Sequence, residues 1–236
     1  MTNWRSETTR FAARLDAIDA RLPDLSASLQ DLPGGPFKTL GTSTEWLYYQ
    51  CCLSVVLANN STSELAESFK ERWKSGCFLS ASLCARLLVE MWGVVEFADA
   101  GILDKFEATK DLDAAAVRVT RLNMGAKGDI PLPWGDPTGF EPIHAMEFVR
   151  AIRQNEVDAI EEYNSLCNAS HPSFLQHSYL LMAGKTYDNW GNKTFAEYAD
   201  KMLERLIRIT EMSINGVVNA GVQIAERAIP IVKHWD

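Results

Sequence analysis

Apolar side chains recur along this chain at intervals of three and four residues rather than two, which predicts helices nearly throughout and little or no sheet. A first helix is expected over residues 4–30, where Phe11, Leu15, Ile18 and Leu22 share a stripe and Pro23 should kink or break it. "DLPGGPFKTLG" then forms a turn-rich linker. From Thr44, "EWLYYQCCLSVVLANN" reads as a strongly apolar helix. Ser61 and Glu64 have capping-box spacing, so a new helix should start there and run to Lys74, with Gly76 ending or bending it. Residues 78–98 are apolar almost all the way round, interrupted by Arg86, Glu90 and Glu96, as suits a helix at the centre of a bundle. A more polar helix over residues 102–123 should pack outside it.

The stretch 125–142, "GAKGDIPLPWGDPTGFEP", has too many Gly and Pro for regular structure and is long for a connection, which points to a lid or a disordered excursion. Pro142 suits the first turn of a helix reaching Ser170, with Ile143, Met146, Val149, Val157, Ile160, Tyr163 and Leu166 turned inward. After a loop over 171–193, Thr194 and Glu197 form a second capping box for a helix continuing toward Val232, unless Gly216 or Pro230 bends it. The pattern predicts an all-α protein: residues 1–40 as a helix and linker, and residues 41–236 completing a single bundle of six or seven helices.

Composition narrows the function classes. With 236 residues and 47% hydrophobic content the chain can bury one substantial core. A balance of 23 Lys and Arg against 31 Asp and Glu, net charge −8, argues against a broad nucleic-acid footprint and leaves only a local basic groove. No signal-peptide core begins the chain and no apolar run approaches the roughly 18–20 residues of a membrane span, so a cytoplasmic protein with no membrane contact is expected. The five cysteines, Cys51, Cys52, Cys77, Cys84 and Cys167, read as buried free thiols in a reducing compartment.

Two places carry candidate chemistry. Arg86 and Glu90 share a face of the central helix; they are either a buried ion pair that fixes register or the lining of a polar pocket whose guanidinium grips an anionic group. In "YNSLCNASHPSF", Tyr163, Leu166, Cys167 and Ser170 lie on one face, and His171 precedes a proline that pushes it out of the helix. There it either terminates the helix, favoured by the dipole, or acts as a functional imidazole. A metal site of Cys167, His171 and His177 is a weaker alternative, as is the Glu141 and His144 pair with di-iron spacing, which lacks its second half. No nucleophile elbow, Walker loop or dinucleotide fingerprint occurs, and no cofactor is expected.

"ARLLVE" (Arg86 to Glu90) in a central apolar helix, followed by Tyr163, Leu166 and "SHPS" at the end of a later one, resembles a family of uncharacterised bacterial helical proteins. That family is similar in turn to the HEPN domains, the nucleotide-binding domains of higher eukaryotes and prokaryotes. The resemblance covers residues 45–225. It implies an all-α bundle, often a homodimer, in a superfamily with many metal-independent RNases of stress and phage defence. Active members cleave RNA with an Arg and a His four to six residues apart at a helix start. No Arg lies shortly before His171 here, and the pair Arg227 and His234 fits the spacing only across Pro230. The resemblance therefore implies a divergent protein that binds a ligand or partner, with an RNA or nucleotide at a local site formed by Arg86, Glu90, Tyr163, Ser170 and His171. An RNase with His171 as general acid or base and Arg86 steadying the phosphorane is the alternative, and a metal-dependent bundle enzyme the third reading.

Overall fold

The computed structural model describes residues 13, 14, 16, 17, 20, 43–124, 128–132, 135–140, 143–153, 158–170 and 193–232. Helix α1 spans Ser43–Lys74 and α2 Phe78–Glu96. Without a break, α2 passes into a π-helical segment, Phe97–Asp104, and then α3, Lys105–Thr109. There follow α4 (Leu112–Met124), strands β1 (Gly128–Leu132) and β2 (Gly135–Phe140), then α5 (Ala145–Ala151), α6 (Ala159–Ser170) and α7 (Lys193–Val232). The architecture is an all-α bundle with one small hairpin. Helix α2 touches α1, α5, α6 and α7, the central place its all-round apolar surface demands.

Chain reversal between α1 and α2 follows from one residue. Gly76 has φ 73°, a left-handed conformation that glycine tolerates without strain. There Cys77 N donates to the Arg72 carbonyl (2.8 Å) and Gly76 N to that of Trp73 (2.9 Å), closing the end of α1. Trp73 then lies edge-on to Phe78, with centroids 5.2 Å apart, so the turn is packed on its inner side.

Several local expectations are corrected by packing. The capping box at Ser61 and Glu64 starts no new helix; α1 runs straight through it. Ala58, Asn59, Thr62, Ala66, Phe69 and Trp73 form an uninterrupted buried stripe, and that burial overrides the local stop signal. The single helix expected over 142–170 is two: Ile152 turns extended after α5, and the Asp158 carboxylate caps α6 by accepting from the backbone N of Ile160 and Glu161 (both 3.1 Å). Ile160, expected inside, is 38% exposed. Val157 and Pro142 lie outside the described residues.

The expected helix over 102–123 is divided at Lys110, whose left-handed backbone ends α3, after which Asp111 accepts from Ala114 N (3.0 Å) to cap α4. The Gly- and Pro-rich stretch is partly regular: β1 and β2 pair antiparallel, Gly128 opposite Phe140 and Ile130 opposite Thr138, with a register shift before Leu132. Of the first expected helix only residues 13, 14, 16, 17 and 20 are described, all helical; Phe11, Leu15, Ile18, Leu22 and Pro23 lie outside them. Arg14 grips Glu211 of α7 with both arms, Nε to Oε1 at 2.9 Å and Nη2 to Oε2 at 2.6 Å.

Two apolar clusters share α2. One joins its first half to Phe69, Trp73, Tyr163, Leu166 and Leu206; the other joins its second half to Leu47, Cys51, Ile102, Val119 and Val217. Helix α7 runs along both, and Met202, Leu206, Ile209, Val217 and Ile224 are buried inside the chain while Met212 and Val218 pack against the second cluster. These apolar positions of the last helix are thus covered within one chain. Cys51 and Cys52 are buried as expected, and burial pushes the Cys52 thiol up to about 12. Cys84 and Cys167 are only partly covered, and Cys77, next to the turn glycine, is exposed. All five are free. The rod Phe78–Thr109 is long and apolar enough to cross a membrane by length and composition, contrary to the sequence expectation, though half of its most apolar window is buried inside the bundle.

Candidate functional site

Arg86 and Glu90 stand one helical turn apart on α2, and α6 lays Tyr163 across them. The Tyr163 hydroxyl donates to Glu90 Oε1 (2.7 Å) and accepts from Arg86 Nη2 (3.3 Å). Arg86 also reaches Glu90 Oε1 through Nε and through Nη2, each at 3.2 Å, and its guanidinium sits 5.5 Å from the centre of the Tyr163 ring. The resemblance implied a site shared by these three side chains, and they are in contact. One detail differs from expectation. The pair, read as buried, is only partly so, Arg86 being 32% and Glu90 16% exposed, and besides the partner that each finds outside its own helix in Tyr163, each is also the other's partner.

Helical geometry explains why. Residues four apart on α2 share a face, but Arg before Glu is the weaker order for a local pair, so the third group from α6 completes the contact. Burial and the Glu90 carboxylate together push the Tyr163 phenol well above its ordinary range, keeping the hydroxyl protonated as a donor. Burial opposes the charge on Arg86, but the Tyr163 hydrogen bond and the Glu90 carboxylate outweigh it and raise the guanidinium above its ordinary value. Both shifts favour a charged guanidinium beside a neutral hydroxyl.

Partial exposure sets its energetic weight. Glu90→Ala should destabilise the chain by only about 1 kcal/mol, because water replaces much of what is lost at a pair open to solvent. A urea midpoint in that range would agree with this geometry, whereas a loss of about 3 kcal/mol or more would mean a buried, closed pair.

Other predicted site residues fare differently. Cys167 is half-covered and lies near enough to Arg86 to interact electrostatically with it. Ser170 is the last residue of α6, while His171 and His177 lie outside the described residues. His144 is exposed just before α5, and its proposed partner Glu141 lies outside the described residues. Among the described residues no three His, Cys, Asp or Glu side chains are grouped as metal ligands.

Sequence reasoning missed a second polar centre. Asp99, 3% exposed, takes Arg153 on one carboxylate oxygen and Arg227 on the other. Arg153 continues to Glu96 (3.0 Å) and Asp104 (2.9 Å), and Arg227 to Asp104 (2.9 Å) and Glu107 (3.1 Å from Nε). Glu96 is anchored in addition by Trp92 Nε1 (3.2 Å) and Glu107 by the Tyr48 hydroxyl (2.7 Å). Although burial opposes it, the bonds from Tyr48 and Arg227 hold the Glu107 carboxyl below its ordinary range. Arg227, which with His234 matched a catalytic spacing, is thus held by three carboxylates; His234 lies outside the described residues.

Only the π-helical winding makes this possible. Five residues along an α-helix are about 140° apart, but i to i+5 bonding brings Asp99 and Asp104 to one side, where both arginines meet them. The Gly101 carbonyl in the middle of the segment is satisfied from outside by Arg118 Nη1 (2.8 Å). A third set joins α6 to α7, with Glu162 accepting from Arg205 Nε (2.5 Å) and Arg208 Nη2 (3.1 Å).

Comparison with protein families, with curated proteins and with solved structures gives no match to this chain.

Proposed function

We propose that the chain is a divergent, HEPN-like helical binding module whose recognition site is the cluster of Arg86, Tyr163 and Glu90. One observation carries this reading: side chains from two helices converge on a guanidinium that stays 32% exposed on the most central helix of the bundle. In the second polar centre the arginines are instead taken up by carboxylates: Arg153, though 44% exposed, meets Glu96, Asp99 and Asp104, and Arg227 meets Asp99, Asp104 and Glu107. A fixed hydroxyl and carboxylate hold the guanidinium in place before any ligand arrives, which lowers the ordering cost of binding. Ser170 and His171 follow Tyr163 on the same stretch and belong to the same proposed site.

A thermal-shift screen of nucleotides, amino acids and sugar phosphates tests the reading. At a concentration of 100 times Kd a true ligand stabilises by about 2.7 kcal/mol, which for a chain of this size raises Tm by roughly 5–10 °C. The expected result is such a shift in the wild type and its loss in Arg86→Ala, with single-stranded RNA left intact during incubation in a chelator. RNA cut by the wild type and spared by both Arg86→Ala and His171→Asn would instead make the protein a metal-independent RNase. No shift with any compound would reduce the cluster to a helix-packing contact.

A further inference from the structure

The Arg86 and Glu90 pair is lopsided. A closed ion pair uses both oxygens of the carboxylate, as Arg14 does with Glu211. Arg153 goes further and engages Nε, Nη1 and Nη2 on three different carboxylates. At the candidate site every contact falls on one oxygen instead: Arg86 Nε, Arg86 Nη2 and the Tyr163 hydroxyl all meet Glu90 Oε1. Among the described residues Arg86 Nη1 and Glu90 Oε2 take no part in these contacts, on side chains that are 32% and 16% exposed. A donor and an acceptor of opposite charge thus stand side by side, one turn apart on the same helix.

Charge decides what fits. The two groups cancel, so a ligand with a net negative charge meets Glu90 as well as Arg86, on a chain already at −8. A polyanionic backbone gains little there. A neutral dipole forms ordinary hydrogen bonds, which are weak where water competes. Matching both groups with charge-assisted bonds takes an oxyanion and an ammonium on one small molecule, each such bond being roughly twice as strong as a neutral one. Resting on the binding-site reading above, we propose that this outward edge of the cluster holds a zwitterion of the α-amino-acid class, its carboxylate on Arg86 Nη1 and its ammonium on Glu90 Oε2.

The experiment titrates the full chain with the common L-α-amino acids one at a time, following saturation transfer to the ligand. Each binder is then compared with its N-acetyl derivative and its methyl ester, which remove one charge apiece without altering the protein. The expected result is at least one binder, with affinity falling about tenfold or more for each derivative and for Glu90→Gln, checked for unchanged folding by circular dichroism. Derivatives that bind as well as the parent, or no binding by any amino acid, overturn the proposal. Binding of inorganic phosphate that depends on Arg86 but not on Glu90, in the absence of amino-acid binding, overturns the ligand class and leaves the site itself standing. Loss of every Arg86-dependent interaction removes both.

Discussion

Gly216→Ala is expected to destabilise the chain by about 3 kcal/mol, even though alanine is the better helix former by about 1 kcal/mol. A Cβ at this position of α7 would lie 2.3 Å from Trp92 Nε1, 2.4 Å from Cε2 and 2.5 Å from Cδ1. The indole has nowhere to go: Trp92 is fully buried, and Nε1 is tied to Glu96. Glu96 in turn anchors Arg153, so a shifted ring disturbs the second polar centre as well as the core. A thermal scan should show Tm lowered by roughly 6–12 °C, on the scale usual for chains of this size. In a Trp92→Ala background the same change should become neutral or slightly stabilising, because only helix propensity is left. An unchanged Tm for the single substitution would mean that α7 does not sit against the indole.

Asp99→Ala should have a comparable effect, about 3 kcal/mol, at the lower end of what breaking a buried ion pair costs. Both oxygens of this 3% exposed carboxylate are engaged, so its removal strips Arg153 and Arg227 of their shared partner. Arg153 is 44% exposed and can turn partly to water, which holds the loss down. Asp104→Ala is the control. Its carboxylate is 46% exposed, and the change should cost about 1 kcal/mol or less although it contacts the same two arginines. Equal, small effects of the two substitutions in urea denaturation would show that the network does not close around Asp99.

How much of this was legible in the sequence depends on the range over which each cause acts. The turn at Gly76, the central rank of α2 and the long final helix follow from a left-handed residue, an all-round apolar surface and a sustained period, all local signals. The false start at Ser61 was a correct local signal overridden by a stripe of the same helix that other helices bury. The break after Ala151 has a tertiary companion: Arg153 is engaged by three carboxylates of a helix more than forty residues earlier, and no periodicity reports that. Asp99 and Asp104 are five apart, a spacing that suggests nothing until the helix is known to be π-wound, so the second centre stayed hidden. Acidic residues in the otherwise apolar stretch 96–104 were the signal available, since such charges need partners.

At the candidate site the spacing of Arg86 and Glu90 and the inward face of Tyr163 were readable because each is a helical repeat on its own element. Their exposure was not, because it depends on how closely α6 approaches α2. That approach is also what gives the site its character. A deeper pair would be a structural contact, a shallower one a pair of solvated charges, and the arrangement lies between the two.

The most direct test of Arg86 as the centre of recognition is nuclear magnetic resonance of the arginine Nε–Hε groups, with the Arg86 signal assigned by its loss in Arg86→Lys. During titration with a compound that raises Tm, the binding-module account predicts that this signal moves and saturates while those of Arg153 and Arg227 stay in place. An Arg86 signal that remains fixed while others shift would contradict it.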